Sequence, residues 1–423
     1  MKSKQITRWI LTALVLGVLV GMGTHEGLDA ETAKQVAGYY SLLTEIFLRL
    51  IKMIIAPLVF ATLVSGIANT GDTKAVGRIG VKALGWFICA SLVSLAIGLV
   101  MATILNPGDG LHLTAEQAGA SAGVDAHALN FKDFLAQVFP TSIVDAMAKN
   151  NVLQILVFAT FFGLALASLG GEVAATGIKL MHELVPVMLR VTGYVMNFAP
   201  FGVFGAVSSA VANQGLDVLI TYGKYLGGFY LALFVLWIIL ALAGGLVVGP
   251  SIRTLIRMIR EPMLLAFSTA SSEAAYPGAM IQLERFGVKE EVAGLVLPLG
   301  YSFNLDGSMI NTTFASLFIA QVCGVDLSLS QKILMLLVLM VSSKGIAGVP
   351  RASLVVVAAV LPMFHIPEAG LLLVFGVDHF LDMGRSATNV LGNCVATAVV
   401  AKWEGKLDPL GTQDQDLLGE ERA

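Results

Sequence analysis

The sequence predicts an all-α membrane protein built from transmembrane helices and two re-entrant helical hairpins, and three observations lead there. The chain of 423 residues is 56% hydrophobic and only 13% charged, with a mean hydropathy of +0.82, whereas soluble domains carry about 25% charged residues. Apolar stretches near 9–24, 81–105, 152–169 and 222–249 approach or exceed the ~18 residues that bridge a hydrocarbon core roughly 30 Å thick. After residue 250, polar and glycine-rich clusters interrupt apolar segments at membrane depth instead of between them. Lipid tolerates such backbone only where it lines a cavity.

The first span follows Lys2, Lys4 and Arg8 and has no small-residue cleavage site, so it reads as a retained helix whose N-terminus faces the cytoplasm by the positive-inside rule. Helices are predicted near 8–24, 41–69, 80–106, 131–170 with a break around Asn150, 176–213 with a kink at Pro200, and 222–249. Polar residues of this half collect in loops, such as Asn69 to Asp72 and Asn106 to Gly110, and in a longer stretch from Leu113 to Asn130. Net charge is −3, and no basic run or zinc-like Cys/His spacing occurs, which argues against a nucleic-acid or metal-cluster protein. Cys89, Cys323 and Cys394 each stand alone in apolar sequence and read as small buried hydrophobes.

Beyond residue 250, Ser268-Thr-Ala-Ser-Ser-Glu273 is flanked on both sides by segments too short to span, the pattern of a hairpin with its tip inside the membrane. Ser342-Ser-Lys-Gly-Ile-Ala-Gly-Val-Pro350 has the same build. Paired interrupted segments point to an internal repeat around a transporter binding site. After the first hairpin, Gly300-Tyr-Ser-Phe-Asn-Leu-Asp-Gly-Ser308 places Asn304 and Asp306 two residues apart, so they cannot share a helix face and the helix should unwind. An unwound turn exposes carbonyl oxygens, and a carboxylate beside them suits a hard cation.

The last span carries Asp378, Asp382, Arg385, Asn389 and Asn393 at intervals of 4, 3, 4 and 4, a stripe roughly 80° wide on one helix face. Facing lipid, that stripe would be very costly. Asp382 and Arg385 form a natural clamp for a zwitterion, a carboxylate for an ammonium and a guanidinium for a carboxylate.

These motifs, with Leu50-Ile-Lys-Met-Ile-Ile-Ala-Pro57, resemble the dicarboxylate/amino acid:cation symporters, which include glutamate and aspartate transporters, over nearly the whole chain. The resemblance implies eight transmembrane helices plus two hairpins with inverted repeats, assembled as a homotrimer. Residues 1–79 and 107–215 would be scaffold, 80–106 and 216–405 a transport domain moving like an elevator, and 406–423 a cytoplasmic tail. It implies substrate contacts from Ser271, Ser272, Ser308, Val349, Asp382, Arg385, Ser386 and Asn389. Cation sites would draw on Gly300, Ser302, Asn304, Asp306, Asn389 and Asn393, and on Ser343 with the backbone to Ile346. Asp306 and Asp378 are the proton-carrier candidates.

Departures from the family pattern matter too. Ala270 and His379 stand where many members have arginine, and Arg351 stands where relatives often have glycine. His379 lies beside the polar stripe and reads as a packing residue; Lys344 should snorkel to water, and Glu273 reads as a hairpin-tip charge. Asn393 and Ala90 replace the aspartate and threonine of sodium-coupled members, which favours proton coupling or fewer sodium ions.

The expected activity is import of an acidic amino acid, glutamate or aspartate, across the cell inner membrane with protons or sodium. That choice rests on Asp382, which the C4-dicarboxylate members of the family lack. The alternatives are a C4-dicarboxylate (succinate, fumarate, malate):cation symporter and an anion channel. No Walker motif, HExxH or convincing Ser/His pairing supports an ATP-driven pump or an enzyme, and no cofactor other than the coupling cation is expected.

Overall fold

A computed structural model describes residues 3–70, 73–108, 138–169, 171–215, 222–343, 352–367, 370–375 and 377–408. The expected contributions of Lys344, Ile346, Val349 and Arg351, and the polar stretch from Leu113 to Asn130, lie outside these residues. The described residues are almost entirely helical. The first half contains α1 (Ser3–Gly27), α2 (Ala30–Thr70), α3 (Thr73–Leu105), α4 (Ile143–Ala148), α5 (Val152–Leu169), α6 (Gly171–Met196), α7 (Ala199–Gln214) and α8 (Gly223–Val248). Among the described residues, four helices, α1, α2, α3 and α8, are long and apolar enough to cross a membrane, and α6 with α7, bent by 49°, makes a fifth when counted as one span. Their outward faces suit lipid: Leu246 is 88% exposed and Ile104 70%.

Three boundaries can be set against expectation. α2 starts at Ala30 rather than near 41, because Asp29 caps it: the Asp29 Oδ1 accepts from the Thr32 N–H at 3.0 Å. The break expected around Asn150 is present, with Asn150 in the left-handed region at φ 52°. The kink expected at Pro200 is instead a break before it. Phe198 is the N-cap of α7 and Pro200 sits in its first turn, where a missing N–H costs no intrahelical bond.

Helix α1 packs on α7 through Gly17 and Gly21; a Cβ at Gly21 would lie 2.9 Å from the Ser208 carbonyl oxygen and 2.7 Å from Val211 Cβ. The spacing of two small residues four apart allows this close approach where apolar contact with lipid offers no driving force of its own. Helix α2 packs on α5, α6 and α7.

The second half opens with a helical hairpin, α9 (Ile252–Thr269) and α10 (Ser272–Arg285). The chain reverses at Ala270, left-handed at φ 50°, and at extended Ser271. A broken span follows, α11 (Glu290–Phe303) and α12 (Asp306–Val322), then α13 (Leu329–Ser342), α14 (Ala352–Val360), a 3-10 turn (Leu361–Phe364), α15 (Leu371–Phe375) and α16 (Asp378–Trp403). Helix α16 is the hub, buried against α8, α9, α11 and α12. Helix α3 joins this group by packing on α12 and α8, while α2 touches it through α10 and α11.

The cysteines only partly match their expected burial. Cys394 is buried, Cys323 half-buried and Cys89 exposed; Cys89 sits on an apolar helix whose other exposed residues include Val81, Ile88 and Leu92, a surface that lipid covers.

Candidate substrate and cation site

The unwound turn predicted between Gly300 and Ser308 is present as a two-residue gap at Asn304 and Leu305, both outside helical geometry. Its side chains turn inward. Asn304 and Asp306 have no exposed surface, and Asn393, at the far end of the polar stripe, is 1% exposed. The Asn304 Nδ2 bridges them, donating to Asp306 Oδ2 and to Asn393 Oδ1, each at 3.1 Å. Ser94 of α3 lies 3.5 Å from Asp306 Oδ1, at the limit of hydrogen bonding. Gly300 makes the arrangement possible, since a Cβ there would lie 2.5 Å from Asn393 Oδ1. Gly392 serves the same purpose beside the Asp306 carboxylate.

One turn further along α16, Asn389 Oδ1 accepts from the backbone N–H groups of Gly307 at 2.8 Å and Ser308 at 3.3 Å, and its Nδ2 donates to Ser308 Oγ at 3.3 Å. These are the free amides at the start of α12, the positive end of a helix and a natural anion-binding position. Arg385 follows. Its Nη1 donates to Ser353 Oγ of α14 at 2.6 Å, and its Nη2 lies 2.9 Å from Asp382 Oδ1. That contact is an ion pair without an aligned hydrogen bond, because Asp382 Oδ1 and Arg385 Nε have no hydrogen-bond partner among the described residues. The side chains of Arg385 and Asp382 keep 12% and 14% exposure. The expected clamp is therefore folded onto itself: each charge leans on the other.

The arrangement has two chemical capacities. A buried carboxylate among amide and hydroxyl groups can bind a hard cation or a proton. A guanidinium with an uncommitted Nε–H, on a residue whose backbone lies against a helix N-terminus, can accept a small carboxylate.

Residues 6–403 match the sodium:dicarboxylate symporter family. The chain belongs to that family. It is 42% identical over 409 residues to the C4-dicarboxylate transport protein of Rhodospirillum rubrum, covering 94% of this chain and 88% of the relative. The proteins of the same name from Brucella anthropi and Rhizobium meliloti are 41% and 40% identical over 406 and 404 residues, with 94% of this chain and 89% of each relative covered.

In this symporter the remaining expected residues are more dispersed. Ser271 is the N-cap of α10, its Oγ accepting from the Ala274 N–H at 3.4 Å, and Ser272 opens that helix half-buried. Ser302 and Ser386 are buried at 3% and 2% exposure. Ser343 Oγ donates to the Met340 carbonyl at 2.8 Å and lies 3.6 Å from Met309 Sδ. Asp378 opens α16 and is 3% exposed. Neighbouring His379 sets its ring edge-on to Phe380 at 6.2 Å, and Glu273 lies in the first turn of α10.

Sequence reasoning missed three partners of the symporter site. Ser94 pairs with Ser91, three residues earlier, as a fully buried hydroxyl in an apolar span, and that spacing was the available signal. Ser353 shows none beyond its place after the second polar, glycine-rich cluster of the sequence. Thr388 accepts from Trp237 Nε1 at 2.8 Å, tying α16 to α8.

Proposed function

We propose that the chain imports small dicarboxylates, four-carbon dicarboxylates first among them, in symport with a cation across the inner membrane of a bacterial cell. The relatives' shared name supports this alternative ahead of the acidic amino acid. The observation that carries it is Arg385, whose backbone lies against Gly307 at the N-terminus of α12 and whose guanidinium keeps Nε uncommitted. One substrate carboxylate pairs with Arg385, and the other displaces Asn389 from the amides of Gly307 and Ser308.

The cation, mainly a proton, is carried by Asp306 or Asp378. A neutral amide at Asn393 supports this reading, because it lacks the charge that tunes sodium affinity. Asn304 also directs a donor, not an oxygen, into the space between Asp306 and Asn393. Residues 80–106 and 216–405 move as the transport domain of a homotrimer, with the second hairpin as gate.

Asp382 supports a second reading, in which the substrate is the four-carbon dicarboxylate that carries an ammonium group, aspartate. An aspartate carboxylate whose Oδ1 has an ion pair but no aligned hydrogen bond accepts an ammonium, whereas a substrate without one leaves Asp382 to its Arg385 pair. Uptake into proteoliposomes separates the two. Under a proton gradient without sodium, wild-type protein should accumulate labelled succinate, and Asp382→Ser should keep that uptake. Aspartate uptake abolished by Asp382→Ser, with succinate neither transported nor competing, would establish the second reading instead.

A further inference from the structure

One polar side chain of α12 has no part in the site described above. Asn311 has no exposed surface, and neither its Oδ1 nor its Nδ2 has a hydrogen-bond partner among the described residues. Its neighbours differ. Thr312 and Thr313 both donate to the Met309 carbonyl, at 3.1 and 2.9 Å, and so are satisfied within their own helix. A buried amide with donor and acceptor both unmet is costly, and nearly all such groups have a partner. Asn311 therefore calls for a partner from outside the chain that can donate and accept at once.

The contacts of α12 place this residue. Asn311 is four residues past Gly307 and three past Ser308, so it falls roughly 40° from the first and roughly 60° from the second around the helix, between them in projection. That sector meets the polar stripe of α16: Gly307 lies against the Arg385 backbone and Thr388 Cβ, and the Gly307 and Ser308 amides donate to Asn389. Ile310 and Thr313 lie on another side, against Gly98 of α3, and Met309 meets Ser343. A helical side chain leans toward the N-terminus and covers the turn before its own Cα. The Asn311 amide is thus carried back over Gly307 and Ser308. On the facing helix, Asp382 Oδ1 and Arg385 Nε also lack hydrogen-bond partners among the described residues.

We propose that Asn311 reads a hydroxyl on the substrate carbon next to a carboxylate, so that the site favours a 2-hydroxy dicarboxylate such as malate over unsubstituted succinate. The inference rests on the dicarboxylate reading and adds to it a residue and a preferred substrate class. A carboxylate on the Gly307 and Ser308 amides brings the adjoining carbon, with its substituent, under the Asn311 side chain. A hydroxyl donates to Oδ1 and accepts from Nδ2. A methylene satisfies neither atom, a carboxylate oxygen only Nδ2, and an ammonium only Oδ1. A site built to hydrogen-bond a hydroxyl discriminates against the analogue without it, because its own buried polar groups are then left unpaired.

The test measures apparent affinities for L-malate and succinate, by uptake and mutual competition, in proteoliposomes containing the purified full-length chain. Wild-type protein should favour malate by roughly tenfold or more, the worth of two ordinary hydrogen bonds. Asn311→Leu, similar in shape, should bring the malate/succinate ratio near one. Asn311→Ser, whose hydroxyl donates and accepts from a shorter stem, should fall between. The ratio is the readout because a purely structural asparagine would move both affinities together. If the leucine variant does not fold, the wild-type and serine ratios decide. A wild-type ratio near one overturns the proposal, as does a ratio unchanged in both variants, the result expected if a buried water satisfies Asn311. Uptake of neither compound would remove the dicarboxylate reading and this inference with it, whereas equal affinity for both removes the inference alone.

Discussion

Replacing Gly300 by alanine should weaken cation coupling, and the size of the effect can be worked from the geometry. A Cβ at Gly300 would stand 2.5 Å from Asn393 Oδ1, against ordinary carbon–oxygen contacts of about 3.3 Å, so the amide must retreat by roughly 0.8 Å. The Asn304 to Asn393 hydrogen bond, 3.1 Å long, would then stretch to a length at which it ceases to be one. Its loss costs about 1 kcal/mol and overpacking about 1–3 kcal/mol; the better helix propensity of alanine returns up to about 1 kcal/mol. The net is about 1–4 kcal/mol. If Asn304 and Asn393 shape the cation site, the same displacement should weaken apparent cation affinity by roughly tenfold or more. Gly85→Ala is the control, since a Cβ there meets nothing within 4 Å and the change should be neutral or slightly stabilising. The measurements are thermal unfolding in detergent and the dependence of substrate uptake on pH and sodium. A Gly300→Ala protein with unchanged Tm and unchanged cation dependence would refute the reasoning.

Two further outcomes are expected. Arg385→Cys should raise KM for dicarboxylates by roughly 10–100-fold, the value of a charge-assisted pair of about 1.5–3 kcal/mol, and unchanged succinate and aspartate affinity would sink the assignment of a carboxylate to Arg385. Glu404 lies beyond the end of α16, its carboxyl held below the usual 4.5 first by the Arg78 hydrogen bond and then by Lys82. A depressed carboxylate contributes stability that is present above the unfolded pKa of about 4.3 and lost as pH falls through the folded value. Glu404→Gln should therefore lower the unfolding free energy by about 1–2 kcal/mol for its two ion pairs, read as a Tm gap that holds between pH 7 and pH 5 and closes below about pH 4; a gap that persists in acid would contradict this.

The sequence by itself determined what depends on local pattern. Apolar length set the spans around α1, α3 and α8. The Asn304/Asp306 spacing announced the unwound turn, and the 4, 3, 4, 4 stripe placed Asp378, Asp382, Arg385, Asn389 and Asn393 on one helix, now α16. Each of these follows from the cost of exposing polar groups to lipid, which is paid residue by residue along the chain. The tertiary structure decided who meets whom. Asn304 and Asn393 are 89 residues apart in sequence, Ser94 and Asp306 are 212 apart, and Arg385 finds Ser353 across two different helices. The antiparallel register of α12 on α16 sets these pairings, with Asp306 against Gly392 and Gly307 against Arg385. The zwitterion clamp shows the same division. Spacing put Asp382 and Arg385 on one face, but at three residues apart a carboxylate and a guanidinium also reach each other, and which partner each takes depends on what the surrounding helices bring within reach.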